Sequence, residues 1–481
     1  MNLTESVIFV KMRQYRYFFL VGLILHLTVI YVIIIQPTSD QLNYVNEQPL
    51  DVSLSRPAFK ELQQTQREIL NKRSANLDYE YVLEEIKKIN RQTKYVPGTF
   101  QQIKGIFVFG AYLDHRLQGE PMVRILALQK LKDTDSLVCL FQKDEKYFLT
   151  YTEKYEMCEN HGKVYGGYMY SCSIPKHFIG HPEQVTLTIL TDDEQEETIY
   201  HTINLSPLHK SRNITSDSIG VCLAPLYGDI RSSQIIQFME LSKILQATNV
   251  FVYKFNVSKN TDILLNYYSA DNFVKVIDWS IPENIQDYEI WSKGQLLAIQ
   301  DCIYSNMNRF KYLLFLDLDE MLVPKTSMSW IEMIQELEVA KNSPKVAAYS
   351  FRSSFFDPKY QSNLDQSIQF LQLRERTVST SEVRSKVIVR PERVFEVGIH
   401  HLSRSLDDAY TSVSVDQSMA LIHHYRSCVS NFDQTMECYP TITDSSIEIF
   451  AAELKEQVTK TQQIMAKVYN HFQNVTYFQN E

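Results

Sequence analysis

The stretch that most constrains this chain runs from Lys311 to Pro324: Lys-Tyr-Leu-Leu-Phe-Leu-Asp-Leu-Asp-Glu-Met-Leu-Val-Pro. Tyr312 to Leu316 is an unbroken apolar run, the pattern of a strand buried on both faces in a parallel sheet. Asp317 and Asp319 follow at spacing two, with Glu320 beside them, where that strand should end. Three carboxylates at a buried strand tip do not serve the core, because unpaired buried charge is strongly unfavourable. In open α/β sheets, ligands bind in the crevice beyond the carboxyl ends of the strands. A hard divalent cation would neutralise such acids, since oxygen ligands suit magnesium, manganese or calcium. A solvated acidic turn is the plain alternative, and the apolar run directly before the acids counts against it.

The surrounding sequence alternates strand and helix signals. Val221–Ala224, Asn249–Tyr253, Val274–Ile277 and Val346–Phe351 read as further buried strands. Pro225 to Gly228 reads as the loop after the first of them. Ile235, Ile236, Phe238, Met239, Leu241 and Leu245 suit a broadly buried helix. Gly294 to Tyr304 reads as another, and Ser329 with Glu332 has capping-box spacing for a helix over Trp330–Leu337. This alternation predicts an α/β fold with a doubly wound, mostly parallel sheet over residues 216–430. Ahead of it, the short runs Ile106–Phe109, Val123–Leu128, Leu137–Phe141, Val164–Tyr168 and Val185–Leu190 predict a β-rich module over 101–210. Residues 431–481 predict a C-terminal helical segment, with Ile447, Phe450, Leu454 and Val458 on one face.

Residues 18–35 carry no charged side chain other than a protonated His26, enough for a short membrane span. Lys11, Arg13 and Arg16 precede it, and no small-residue cleavage site follows, which favours a retained anchor over a signal peptide. The expected order is a cytosolic tail (1–16), a transmembrane anchor (17–35) and a polar stem (36–100), giving a single-pass type II protein with its bulk in the lumen. All seven cysteines lie beyond residue 138, on the side where disulfides persist, and their odd number leaves at least one thiol over. Asn213, Asn256 and Asn474 are the expected glycosylation acceptors. A net charge of −9 with no long basic run argues against a nucleic-acid partner.

In ordered blocks the chain resembles glycosyltransferase family 92, a group with many nematode members. The blocks are Phe109–Arg116, Cys172–Pro175, Val221–Gly228, Gly294-Gln295 with Asp301–Tyr304, Tyr312–Pro324, Lys386–Pro391, Gly398–His400 and His424–Arg426. The resemblance implies a GT-A type fold and inverting transfer of a hexose, with galactose expected, from a UDP-sugar to a glycan on a glycoprotein or glycolipid at the Golgi membrane. It implies a Mn²⁺ cofactor and a catalytic role for Asp317, Asp319 and Glu320. Asp317 and Asp319 would ligate the metal, with a late histidine added: His400 and His424 are the candidates in matched blocks, His401 and His423 their neighbours. Pro225, Tyr227, Gln295, Asp301, Lys386 and Arg390 are the expected donor-binding residues. A general base would be a downstream carboxylate such as Asp357, Glu382 or Glu396. Trp279 and Trp330 fit the core better than a sugar platform. The competing class is a catalytically silent luminal binding module, which would have no need of Asp317 and Asp319. A hydrolase fits less well, because acids two apart on one strand end do not flank a scissile bond.

Overall fold

Strand formation follows the apolar runs closely. The computed structural model describes residues 98–478 apart from 118–120, 144–145, 177, 179, 190–199, 206–217, 342–343, 362–367, 430–432 and 434–435. The apolar segment 18–35, the stem up to residue 97 and Asn213 lie outside the described residues. Among the described residues, no helix is long and apolar enough to cross a membrane.

Nine strands precede residue 205: β1 (Gln101–Ile103), β2 (Ile106–Asp114), β3 (Met122–Lys130), β4 (Val138–Lys143), β5 (Lys146–Tyr151), β6 (Glu153–Glu156), β7 (Tyr165–Ser173), β8 (Gln184–Thr188) and β9 (His201–Asn204). They form an antiparallel five-stranded sheet, ordered β1-β2-β3-β7-β6, and a four-stranded sheet, ordered β5-β4-β8-β9. The Cys139–Cys172 disulfide joins β4 to β7, and so one sheet to the other. β2 is buried along its whole length rather than on alternate residues. The reason is that both faces are covered. Ile106, Val108 and Ala111 pack toward the small sheet, while Phe107, Phe109 and Tyr112 share a core with Leu297, Cys302 and Phe315 of the following region. The module is therefore fused to the α/β region through a common apolar layer.

The α/β region holds β10 (Ile219–Gly228), β11 (Asn249–Val257), β12 (Val274–Asp278), β13 (Tyr312–Leu316), β14 (Glu320–Pro324), β15 (Val346–Phe355), β16 (Glu375–Thr377), β17 (Ser381–Val389), β18 (Val394–Val397), β19 (Leu402–Ser405), β20 (Thr411–Ser414), β21 (Ala420–His424) and β22 (Thr441–Thr443). Its helices are α1 (Ser232–Ile244), α2 (Lys259–Ala270), α3 (Gln295–Asn306), α4 (Trp330–Lys341), the single turn α5 (Gln369–Gln372) and α6 (Ala451–Phe478). Nine strands form the main sheet, in the order β12-β11-β10-β13-β17-β15-β21-β14 with β20 added on β15.

The expected mostly parallel sheet is present. β10 to β13 are parallel and β15 is parallel to both β20 and β21, while β17 runs against β13 and β15, and β14 runs against β21. The fold is mixed α/β, with these two strands reversed. Apolar runs reveal burial, not direction, and direction depends on where each connection leads. One correction concerns Pro225 to Gly228. These residues extend β10 rather than form its loop, with register shifts on either side of Leu226. Pro225 has no N–H to give the ladder, and a bulge is the usual accommodation.

Helices cover both faces. α1 buries Ile235, Ile236, Phe238, Met239 and Leu241 on one face, where α4 (Met333, Ile334, Leu337) and α6 (Leu454, Val458, Met465) join the same core. α3 covers the other face and is fastened to β10 by Cys222–Cys302. Closing an 80-residue separation this way is worth roughly 4 kcal/mol in the chain-entropy treatment. Trp279 and Trp330 are both core residues.

Candidate active site

The parallel pairing of β10 with β13 sets Leu223 opposite Leu316. Asp317 to Asp319 therefore emerge beside the last residues of β10, at the carboxyl end of the sheet. The connection then carries the chain from β13, inside the sheet, to the edge strand β14. Within it, Asp317 N–H donates to Glu320 Oε2 at 3.0 Å. Asp317 and Asp319 keep side chains about a third exposed, while Glu320 is fully buried.

Each acid has different neighbours. Lys386, buried on β17, places its ammonium 3.0 Å from Asp317 Oδ2, 3.2 Å from Glu320 Oε2 and 3.4 Å from Ile399 O. Gln295, the first residue of α3, donates from Nε2 to Asp317 Oδ1 at 3.1 Å. His424 ends β21 directly opposite Glu320, with Nδ1 3.6 Å from Glu320 Oε1 and Nε2 3.5 Å from Asp319 Oδ2. Those two ring nitrogens and Glu320 Oε1 are buried and make no hydrogen bond.

The charges follow from these contacts. Burial pushes Glu320 up despite Lys386 beside it. Burial would lower Lys386, but Asp317 and then Glu320 hold it above its usual value. Asp319 is lowered, burial being outweighed by His424 and, further off, Arg426 and Lys386. His400 is pulled down to about 3 by burial and by Lys386. Its Nδ1 lies 3.1 Å from Ser385 O, so the neutral ring donates there and leaves the Nε2 lone pair free to coordinate.

Further side chains lie at the same end of the sheet. Tyr227, at the tip of β10, is 45% exposed and so available to a planar ring, whereas Pro225 is buried in the strand. The Lys293 ammonium lies 5.7 Å from the Tyr227 ring centroid and 5.0 Å from that of Phe255. Ser292, Lys293 and Gly294 all have left-handed backbone, with φ of 41°, 56° and 74°. Such a run is strained for non-glycine residues, and strain of this kind collects at functional sites. It aims the uncapped start of α3, and Gln295 with it, at Asp317. Lys293 was missed in the sequence because a lone lysine ahead of a helix carries no signal; its left-handed φ is visible only in the fold.

Several expected residues lie elsewhere. Arg390 sits at the far end of the sheet, since Val389 pairs with Leu313 near the start of β13; it pairs with Glu338 and lies over the Tyr312 ring. Asp301 is interior, with one oxygen accepting from Tyr112 and the other from Tyr253, the latter at 2.6 Å. It ties the β-rich module to α3 and β11. Lys386 does reach the site, but its bonds go to protein acids and a carbonyl rather than outward. Glu320 is withdrawn behind its neighbours, where it accepts from Asp317 N–H and pairs with Lys386. His423 faces the opposite way, stacked 4.1 Å from Phe356, and His401 points toward Glu159. Of the suggested bases, Asp357 holds Cys428 N–H and Lys359, Glu382 pairs with Arg352 at the surface, and Glu396 anchors Tyr155 and Cys158 N–H. Asn256 is exposed at the end of β11, and Asn474 lies within α6.

Asp317, Asp319, His424 and His400 offer oxygen and imidazole donors of the type that a divalent cation takes, and the hydrogen-bond-free nitrogens of His424 fit that use. The set is not a closed cage, because Asp317 is turned to Lys386. A bound diphosphate would have to supply the remaining oxygens.

Residues 217–475 match the sequence model of glycosyltransferase family 92. This chain belongs to that family. The match runs on into α6, ending at residue 475. A Caenorhabditis elegans relative named beta-1,4-galactosyltransferase galt-1 is 26% identical over 359 residues, covering 71% of this chain and 80% of that protein. A second C. elegans relative, the family 92 protein C33H5.2, is 28% identical over 127 residues, 24% of each chain. A solved mycobacterial protein aligns at 16% identity and a TM-score of 0.20 over 30% of this chain and 43% of that one, too slight a likeness to bear on the fold. Family 92 membership makes the chain a glycosyltransferase.

Proposed function

We propose that this chain moves a hexose, with galactose the expected sugar, from a UDP-sugar to a glycan on a glycoprotein or glycolipid, with inversion, on a GT-A type fold. The observation that carries the reading is the placement of Asp317 and Asp319. They stand at the carboxyl end of β13, beside the exposed Tyr227 and the strained turn that delivers Lys293 and Gln295. That end of the sheet is where α/β folds bind nucleotides. Tyr227 would lie against the uracil, and Lys293, paired with Asp287 in this structure, would exchange that partner for the diphosphate near the start of α3. The galactosyl preference rests on the printed name of the galt-1 relative alone.

Mn²⁺ is the cation we propose, because it accepts both carboxylate and imidazole. Asp317 and Asp319, with His424 or His400, would hold it. When bound it would neutralise charge building on the departing diphosphate. Gln295 and Lys386 hold Asp317 from two sides, and Glu320 fixes the backbone of the loop through Asp317 N–H. The neutral His400 is ready to donate its lone pair at pH 7. One observation favours a metal-free form of the same reaction: the buried Lys386 ammonium already stands among the acids. Treatment with EDTA separates the two. Loss of turnover restored by Mn²⁺ supports the metal reading, and full turnover in EDTA overturns it.

The Golgi membrane is the proposed site of action, with residues 18–35 as a type II anchor and the catalytic region in the lumen. The Cys139–Cys172, Cys222–Cys302 and Cys428–Cys438 disulfides support an oxidising compartment.

A further inference from the structure

Cys158 is the one free cysteine among the described residues, and it is exposed. It lies on the β-rich module, just after β6, facing the loop that carries His400. Cys158 Sγ, a Glu159 carboxylate oxygen and a His401 ring nitrogen all lie within 4.8 Å of one another. Among the described residues, no other trio of histidine, cysteine or acidic side chains converges so closely. We propose that Cys158, Glu159 and His401 bind a divalent cation of the zinc class, with the Ser403 hydroxyl or a water completing a tetrahedron.

The surroundings are built rather than incidental. Cys158 Sγ–H points at Ser403 Oγ, 3.1 Å away, and Ser403 Oγ is 3.3 Å from His401 Nε2. His401 Nδ1 faces Glu159 Oε1 at 3.8 Å. The other Glu159 oxygen accepts from Ile399 N–H, which fixes the carboxylate. Gly398 is required beneath it, because a Cβ there would meet the Glu159 carboxylate and lie 2.8 Å from Ser403 Oγ. Behind the trio, buried Glu396 takes Cys158 N–H at 2.9 Å and Tyr155 O–H at 2.6 Å. Although its edge is open to solvent, the thiol is pushed up to about 12 by the protein around it, then by Glu396, with Glu159 adding to this.

Ligand chemistry selects the ion. A thiolate beside imidazole and carboxylate suits zinc, and three protein ligands with one open position is a common zinc arrangement. The hard cation expected at Asp317 and Asp319 has no use for sulfur. The ion would clamp the module onto residues 398–401. That loop is also tied to the acids, since Ile399 O accepts from Lys386. The site therefore lies next to the catalytic crevice without being part of it.

Titration of the full chain with Co²⁺ as the probe tests this. The expected result is a near-ultraviolet sulfur-to-cobalt charge-transfer band, saturating at one equivalent and displaced by Zn²⁺. The band should persist in Asp319→Ala, which separates this site from the acid loop, and vanish in Cys158→Ser. His401→Ala should weaken Co²⁺ binding at least tenfold. Zinc should raise the melting temperature of the native chain and leave that of Cys158→Ser unchanged. Absence of the band, its survival in Cys158→Ser, or a Cys158 disulfide linking two copies on a non-reducing gel would each overturn the proposal.

Discussion

Lys386 and Glu320 form an ion pair, Nζ to Oε2 at 3.2 Å, with side chains only 2% and 0% exposed. Desolvation makes such a pair weak evidence of net stability, yet removing one partner strands the other charge. Lys386→Met should therefore lower unfolding free energy by about 3–5 kcal/mol. Adding Glu320→Gln should recover much of that loss. Denaturant unfolding of the single and double variants measures both. An effect below about 1 kcal/mol, the scale of a surface pair, would mean that the pair is not buried in solution.

Gln295 and Arg390 were equal candidates for the donor pocket, and the fold separates them. Gln295→Ala should raise the donor KM or lower kcat roughly tenfold, about 1.4 kcal/mol, because it frees Asp317 on one side. Arg390→Ala should leave the donor KM unchanged and lower stability instead, by about 1 kcal/mol. Steady-state kinetics with a thermal melt on each variant tells them apart.

Acid sensitivity should come from His423 as well as from His400, both rings being lowered to about 3 by burial. At His423, nearby Lys325 and Arg376 add to the effect of burial. The folded state thus binds fewer protons than the unfolded chain. Its stability is complete above the unfolded value near 6.5 and is lost as pH falls toward 3. Between pH 6.5 and 5 the loss from His423 is about 1.5–2 kcal/mol. Glu320 and Glu396 are raised and act in the opposite sense, but identically in any His423 variant. His423→Gln should reduce the slope of this part of the pH–stability curve, His400 keeping its own share, and an unchanged slope would count against the buried neutral ring at 423.

Exposure of Asn256 at the end of β11 makes it the acceptor that the fold best supports. In protein from a eukaryotic secretory host, glycosidase treatment should remove one glycan from native chain that Asn256→Gln lacks. Identical mobility of the two would argue against a luminal catalytic region.

The strands and helices were largely legible because they rest on local apolar periodicity. Tyr312–Leu316 is a fully buried strand, and Trp330 does begin a helix with Ser329 Oγ accepting from Glu332 N–H at 3.2 Å. The capping box is only half formed, since the Glu332 carboxylate takes Met328 N–H rather than that of Ser329. The reversal of β17 and β14 within the mostly parallel sheet was not legible, because an apolar strand looks the same whichever way it runs. In the site, position relative to the acids was legible for Gln295 and His424, each in a block already singled out. Arg390 misled because it follows Lys386 by only four residues, just past the end of β17. Those residues span roughly 13 Å at 3.3 Å per residue, the distance from one end of the sheet toward the other. Asp301 misled because a buried carboxylate satisfied by two tyrosines looks, in sequence, like one waiting for a ligand. The Cys158 cluster joins residues more than two hundred positions apart, and no spacing rule reaches that far.

Donor turnover by the full-length chain is the measurement that reaches the central claim most directly. Native protein and Asp319→Ala would each be incubated with Mn²⁺ and a panel of UDP-sugars, with released UDP and a glycan acceptor product both scored. The account predicts turnover by the native chain, with UDP-galactose preferred, and a fall of at least a hundredfold, about 2.7 kcal/mol, in a variant whose melting temperature is unchanged. Turnover of a different UDP-sugar alone would correct only the sugar. Equal turnover by Asp319→Ala, or none by a folded native chain with any donor, would contradict the assignment of the acid loop as the catalytic centre.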